Sequence, residues 1–314
     1  MGKDTSISWT HHTFNPWWGC EKISPACTHC YAETFAKRFP ASRGLWGKNS
    51  TRRFQSDKYW NAPLKWNRDA AASGERRRVF CASMADVFED RADLVPHRAR
   101  LFELIRRTPN LDWLLLTKRP ENWNMLTSQA AINMPTENGT HWIDEWTSGT
   151  APKNVWLGTT VENQEMADKR IPALLKIPAK VRFLSCEPLL GPVDLRAFAG
   201  VKECKKAWLL KDGTIHDISF PKVDGIDWVI CGGESGAHAR PMHPDWARSL
   251  RDQCAASGVP FHFKQWGDIV YREVVGAGQP LGDRETLRIG KEAAGRLLDG
   301  VLHDGVLHDA FPNP

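Results

Sequence analysis

The chain of 314 residues is long enough to bury a sizeable core, either as one large α/β barrel or as two smaller domains. Its apolar share of 41% and charged share of 25% are those of an ordinary globular protein; no run of about 18 apolar residues is present, and the polar start Met1-Gly2-Lys3-Asp4-Thr5-Ser6 leads into no apolar stretch. No membrane span and no secretory signal are therefore expected, the expected location is the cytoplasm with its thiols reduced, and a net charge of +5 permits an anionic partner without demanding one.

In chain order, the first distinctive stretch is Trp17 to Glu33. Three of the eight cysteines, Cys20, Cys27 and Cys30, fall there with the spacing C-x6-C-x2-C. A helix is predicted over Tyr31–Phe39. A basic loop follows from Arg43 to Arg78, carrying Trp46, Trp60 and Trp66. Arg78–Ala82 reads as a buried strand ending in Ser83-Met84-Ala85-Asp86, and Pro96–Arg106 has apolar residues at helical spacing. Asp112–Thr117 is an apolar strand ending in Lys118-Arg119-Pro120, and Pro120 opens a further helix. A polar stretch from Ala130 to Pro152 reads as an inserted loop. Asn154–Thr160 is a strand, Gln164–Leu175 a helix, and Val181–Cys186 a strand ending in Glu187-Pro188. Leu189–Gly225 reads as a second insertion without a clear period. Asp227–Cys231 is a strand ending in Gly232-Gly233-Glu234, Pro244–Ala256 a helix closed by Gly258, and Pro260–Gly267 a last strand. The tail holds a short duplication, Gly300–Asp304 and Gly305–Asp309, too small to be a structural repeat.

Short apolar strands alternating with helices predict an α/β fold with a parallel sheet, a partial or near-complete (β/α)6-7 barrel. It would occupy residues 1–270, with insertions at about 43–78, 130–152 and 190–225, and a tail over 271–314 packing on or extending from it. Polar residues recur just past the strand ends, where such folds place active sites: Ser83, Asp86, Thr117, Lys118, Arg119, Thr159, Thr160, Glu162, Ser185, Glu187, Glu234, Lys264 and Gln265. The pair Gly232-Gly233 allows a close backbone approach to a ligand or simply makes a tight turn.

Three thiolates on one short loop suit a soft metal or cluster. Zinc would need four closed ligands: Cys20, Cys27 and Cys30, with His29, His11 or His12 as the fourth. A [4Fe–4S] cluster held at three irons needs three thiolates and leaves the fourth iron open. Cys81, Cys186, Cys204, Cys231 and Cys254 stand alone, as small buried side chains usually do. The tryptophans interleaved with basic residues suit either stacked bases or an aromatic core.

Three loop cysteines ahead of the first helix of an α/β barrel resemble the radical S-adenosylmethionine (SAM) superfamily. There the usual spacing is C-x3-C-x2-C; here the first gap is six residues, and His29 stands where an aromatic residue usually packs on the SAM adenine. A closer resemblance runs along almost the whole chain. The blocks Phe14-Asn15-Pro16-Trp17-Trp18-Gly19-Cys20, Ser83-Met84-Ala85-Asp86-Val87-Phe88, Leu116-Thr117-Lys118-Arg119-Pro120, Gly158-Thr159-Thr160-Val161-Glu162, Ser185-Cys186-Glu187-Pro188-Leu189, Gly232-Gly233-Glu234-Ser235-Gly236 and Phe263-Lys264-Gln265-Trp266-Gly267 occur in that order. Together they resemble the phage-associated three-cysteine-motif proteins, themselves similar to radical SAM enzymes and distantly to spore photoproduct lyase.

The resemblance implies a [4Fe–4S] cluster on Cys20, Cys27 and Cys30, and SAM held by His29, Ser83, Asp86, Lys118, Arg119, Thr159 and Glu162. It also implies reductive cleavage to a 5′-deoxyadenosyl radical and an electron donor such as flavodoxin or ferredoxin. Glu187 and Glu234 are candidates for substrate binding or acid–base work, and Cys186 and Cys231 for hydrogen donation to a substrate radical. The basic loop 43–78 and Lys264 would suit an RNA or DNA substrate, with phosphates on Arg52, Arg53, Lys58, Lys65 and Arg76–Arg78 and bases on Trp60 or Trp66. Three readings follow: a radical SAM enzyme modifying or repairing a nucleic acid or nucleotide, a zinc- or cluster-stabilised nucleic-acid-binding protein without turnover, and a radical SAM enzyme acting on a small metabolite or protein.

Overall fold

The computed structural model describes residues 5–134, 142–198, 203–209, 215–221, 225–275 and 285–305. In chain order the elements are β1 (His12–Thr13), β2 (Trp17–Trp18), α1 (Tyr31–Ala36), β3 (Arg53–Phe54), α2 (Asp57–Trp60), α3 (Ala62–Ser73), β4 (Arg77–Cys81), α4 (Val95–Arg106), β5 (Leu111–Thr117), α5 (Trp123–Ala131), α6 (Trp142–Thr147) and β6 (Val155–Thr160). There follow α7 (Gln164–Leu175), β7 (Val181–Cys186), β8 (Glu203–Leu209), β9 (Ile215–Pro221), β10 (Trp228–Gly232), α8 (Pro244–Ser257), β11 (Phe261–Gln265), β12 (Ile269–Tyr271), α9 (Arg272–Val275), β13 (Thr286–Arg288), α10 (Lys291–Ala294), β14 (Leu297–Leu298) and β15 (Val301–Leu302).

The main sheet has seven strands in the order β1-β4-β5-β6-β7-β10-β11. The pairs β1–β4, β4–β5, β5–β6 and β10–β11 are parallel, with register Phe80↔Leu114, Leu115↔Leu157 and Ile230↔His262. This is an α/β fold compatible with a partial (β/α) barrel. Its strands read as continuous apolar runs because both faces are covered: every residue of β6 is buried, and all but Leu116 of β5. Gly158 lies inside β6 because a Cβ there would stand 2.4 Å from the Phe183 ring. Among the described residues, no helix is long and apolar enough to cross a membrane.

The chain divides into two compact units, residues 1–160 with 173–183 and residues 161–172 with 184–314. The first unit has an aromatic core. Phe14 packs on Tyr59, Trp60 and Trp113 with centroids 5.0, 5.3 and 5.6 Å away, and Trp66 stacks on His12 at 4.4 Å. Burying such a ring stabilises the fold by roughly 2–3 kcal/mol from apolar area alone. This corrects one expectation. Trp60 and Trp66 are 2% and 5% exposed, so their faces are not open to bases.

The segment 43–78 is also more ordered than a loop. It holds β3, α2 and α3, with Pro63 in the first turn of α3 and Gly74 (φ 70°) as its left-handed cap. Helix α1 stops at Ala36, three residues short of the expected Phe39, because Pro40 keeps Phe39 extended (φ −110°, ψ 116°).

In the second unit, α8 starts at His243, whose ring accepts the Asp245 N–H, has Pro244 in its first turn and ends on Gly258 (φ 69°). The insertion at 190–225 contains the antiparallel hairpin β8–β9. Residues 303–305 of the tail bond along β11, through Phe263 N–H to His303 O (2.8 Å) and Gly305 N–H to Phe261 O (3.0 Å). Most of the second copy of the tail duplication lies outside the described residues.

Candidate functional site

The three-cysteine loop belongs to the first unit, and its backbone is tied down at each turn. Gly19 (φ 110°) donates to Met84 O at 3.0 Å, and a Cβ there would fall 2.4 Å from Leu45 O, so only glycine fits. Gly47 N–H donates to Cys20 O (3.0 Å) and Cys27 N–H to Ser24 O (2.9 Å). Cys30 caps α1, its carbonyl accepting the Thr34 N–H (3.1 Å) and hydroxyl (3.2 Å). Cys20, Cys27 and Cys30 are free thiols, each partly exposed.

Two buried ion pairs clamp this loop. Glu89 accepts from Arg52 Nη2 (2.5 Å) and Nε (3.0 Å), and its Oε1 also takes the Glu21 N–H at 3.1 Å. The same Arg52 guanidinium donates to the carbonyls of Leu45, Gly47, Ser50 and Thr51, closing the neighbouring loop. Asp86 holds Arg119 (2.9 Å), and Arg119 in turn donates to Glu21 O (2.8 Å) and towards Cys20 Sγ (3.7 Å). Asn15 sets the turn after β4 by accepting the Met84 N–H (2.8 Å) and exchanging hydrogen bonds with Ser83 Oγ.

These contacts revise some of the expected roles. Asp86 Oδ1 accepts from Phe88 N–H and the Thr117 hydroxyl, and Oδ2 from Lys118 N–H and Arg119. A carboxylate offers about four acceptor positions, and all are used, so Asp86 is a positioning residue rather than a cofactor ligand. Burial favours its protonated form, but the Arg119 charge and the three other donors outweigh this and hold its carboxyl below the usual range. Arg119, 6% exposed, is likewise a clamp. Thr159 is fully buried and donates to Thr117 O (2.8 Å).

Arg52 faces inward to Glu89, which corrects its expected place on a phosphate. Lys65 pairs with Asp69, Arg76 with Asp112 and Arg77 with Glu75. Lys118 is different: it is half-buried, and its ammonium has no ion pair among the described residues. Ser83 and His29 are also partly exposed. Burial, reinforced by the Asp86 charge and opposed by Arg119, pushes the Cys20 thiol up to about 12. Metal ligation there would release its proton.

In the second unit the strand-end carboxylates are paired as well. Glu162 is fully buried and bonds Arg170 at 2.8 Å; Glu234 is gripped in a bidentate manner by Arg240 at 2.6 and 2.8 Å. Glu187 remains partly exposed, with Lys264 Nζ 2.7 and 2.9 Å from its two oxygens and Gln265 Nε2 at 3.4 Å. Gly233 is required by backbone crossing, since a Cβ would meet Trp266 O at 1.8 Å. Cys186 and Cys231 are wholly buried, and burial pushes their thiols and that of Cys254 up, so they stay protonated. Sequence reasoning missed the roles of Glu89, Asn15 and Arg98, and placed Arg52 on a phosphate. Arg98 is fully buried on α4 and ties down Val87 O (2.8 Å) and Glu89 O (2.7 Å).

The donor set suits a soft metal or cluster: three thiols on one anchored loop, partly open to solvent. Among the described residues, no group of three or more His, Cys, Asp or Glu is placed to hold a metal ion. No curated protein and no solved structure matches the chain. Residues 4–307 match a family described as "Protein of unknown function (DUF5131)", and the chain belongs to that family.

Proposed function

We propose that this chain is a radical SAM enzyme that modifies or repairs a nucleic acid, base or nucleotide, with a [4Fe–4S] cluster on Cys20, Cys27 and Cys30. The observation that carries the reading is the loop itself: three partly exposed free thiols on a backbone fixed by two buried ion pairs. Three cysteine ligands leave one iron of such a cluster open for a substrate or cofactor. The parallel sheet supports the barrel of radical SAM type expected from the sequence. When bound, the cluster supplies the single electron that splits SAM, delivered to it by a donor such as flavodoxin or ferredoxin.

The chain's own residues do the rest. Arg119 orients Cys20 and holds Glu21 O, so the loop keeps its shape while the thiols lose their protons. The Lys118 ammonium, without an ion pair among the described residues, takes a carboxylate, as the amino-acid end of SAM presents. The Ser83 hydroxyl, fixed by Asn15, offers a neutral polar partner.

The test is anaerobic reconstitution with iron and sulfide, followed by SAM and dithionite. About four irons and sulfides per chain, with 5′-deoxyadenosine formed and lost in Cys27→Ala, is the expected result. One zinc per chain with no brown 4Fe–4S absorption would overturn the reading.

A further inference from the structure

Burial of Trp60 and Trp66 removes the stacking surface expected from the sequence, but a different one stands beside the thiol loop. Trp18, two residues before Cys20, meets Phe35 and Phe39 edge-on at 6.1 Å each, and Phe35 meets Phe39 at 5.4 Å. Trp18 and Phe35 rest on a small core of Ala32, Ala36 and Met84. The outer side of the trio is open: Phe39 is 43% exposed and Tyr31, at the start of α1, 55%.

Cations flank it. Arg53 lies over the Trp18 ring at 5.2 Å and Arg38 over Phe35 at 5.7 Å. Residues 34–56 carry Lys37, Arg38, Arg43, Lys48, Arg52 and Arg53 and no aspartate or glutamate. Of these, Arg52 is buried on Glu89 and Lys37 pairs with Glu33. Arg38, Arg43, Lys48 and Arg53 are exposed and have no ion pair among the described residues.

We propose that this aromatic–arginine face of α1 and the paired strands β2 and β3 docks a single-stranded nucleic acid, which names the form of substrate for the nucleic-acid reading above and rests on it. Exposed rings and guanidinium planes stack on unpaired bases whatever their identity, while cations without an ion pair among the described residues take the phosphates. A duplex hides its base faces and offers only phosphates to the same surface. The chain runs directly from this face into the thiol loop at both ends, through Trp18–Cys20 and Cys30–Tyr31.

The experiment is fluorescence anisotropy of the full-length protein with labelled 15-nucleotide RNA and DNA, single-stranded and duplex, across a salt series and without SAM. Single strands are expected to bind at least about tenfold tighter than duplex, with log Kd rising by about 3 per decade of salt for four cations. Phe39→Ala is expected to weaken binding by roughly 5- to 100-fold. Arg38→Ala with Arg43→Ala is expected to lower the salt slope by about 1.4. Arg107→Ala and Lys169→Ala, exposed cations elsewhere, are controls expected to leave binding unchanged, and circular dichroism checks that every variant folds.

Strand binding that the face variants leave untouched overturns this surface while sparing the nucleic-acid reading. Duplex binding as tight as single-strand binding overturns the strand preference. No binding to any oligonucleotide at 50 mM salt, on the order of the low-salt limit at which phosphate contacts are strongest, removes both. Binding to phosphatidylserine vesicles instead assigns the face to a membrane surface and overturns the proposal. Formation of 5′-deoxyadenosine, scored separately, reports on the cluster chemistry alone.

Discussion

Both units place carboxylates just past strand ends, and they use them differently. In the first unit the arginines paired with Asp86 and Glu89 reach onward to backbone carbonyls, Arg119 to Glu21 O and Arg52 to the 45–51 loop, so each pair grips the thiol loop or its neighbour. In the second unit Glu162 and Glu234 are closed by arginines a few residues ahead, Arg170 and Arg240. Glu187 with Lys264 stays within reach of solvent. A polar residue at a strand end is therefore a scaffold when its acceptor positions are filled, and a candidate for chemistry when some stay open. The arginine partner's remaining bonds tell what the scaffold supports.

The largest effects test that division. Arg52→Met removes the ion pair of the buried Glu89, and Arg170→Met that of the buried Glu162; each is expected to cost about 3–5 kcal/mol in urea unfolding. The two should differ in the thiol loop. Arg52→Met is expected to speed maleimide labelling of Cys20, Cys27 and Cys30 at low denaturant, and Arg170→Met to leave those rates at the wild-type value. Equal labelling in both variants would break the comparison.

Next come the two glycines where backbones cross. A Cβ at Gly19 would meet Leu45 O at 2.4 Å, and one at Gly233 would meet Trp266 O at 1.8 Å. Gly19→Ala and Gly233→Ala are each expected to cost about 3 kcal/mol, since neither contact is with a flexible side-chain end. Only Gly19→Ala is expected to reduce iron uptake on reconstitution, measured per folded chain. A reduction of the same size in Gly233→Ala would mean that the thiol loop has no private scaffold.

Much of this architecture was legible in the sequence, and the failures share a cause. Gln164–Leu175 and Val181–Cys186 were read to their observed ends because their apolar spacing is set by a covered sheet. The three cysteines stand out as candidate ligands by spacing alone. The helices α2 and α3 were not, since their apolar anchors Trp60 and Trp66 stand among lysines and arginines that resemble a solvated loop. Arg52 was misplaced for the same reason. Its partner Glu89 lies 37 residues away, and a pairing at that distance leaves no local periodicity. Asp86 was found but given the wrong role, because four filled acceptor positions appear only once Phe88, Thr117, Lys118 and Arg119 are seen around it.

The smallest effect concerns acid, and it sharpens the comparison by separating the clamps from the rest of the first unit. His11, just ahead of β1, accepts the Arg78 N–H on Nδ1 at 2.9 Å, which requires a ring without a proton on that nitrogen. Burial, with Arg78, Arg77 and His12 adding their fields, lowers its pKa from 6.5 to about 4. Between those values the unfolded chain binds the extra proton and the folded chain does not, so stability is fully present above pH 6.5 and falls as the pH drops towards about 4. Asp86, whose carboxyl is held below the usual range, contributes stability that is lost only at still lower pH. Mild acid should therefore weaken the first unit through His11 while the clamp on the thiol loop holds. His11→Asn keeps an acceptor oxygen near the Arg78 N–H and removes the titration. Its urea midpoint is expected to fall less than that of the wild type between pH 7 and about 5, with thiol labelling unchanged in both. Parallel pH profiles for the two proteins would assign the acid sensitivity to the carboxylate clamps instead.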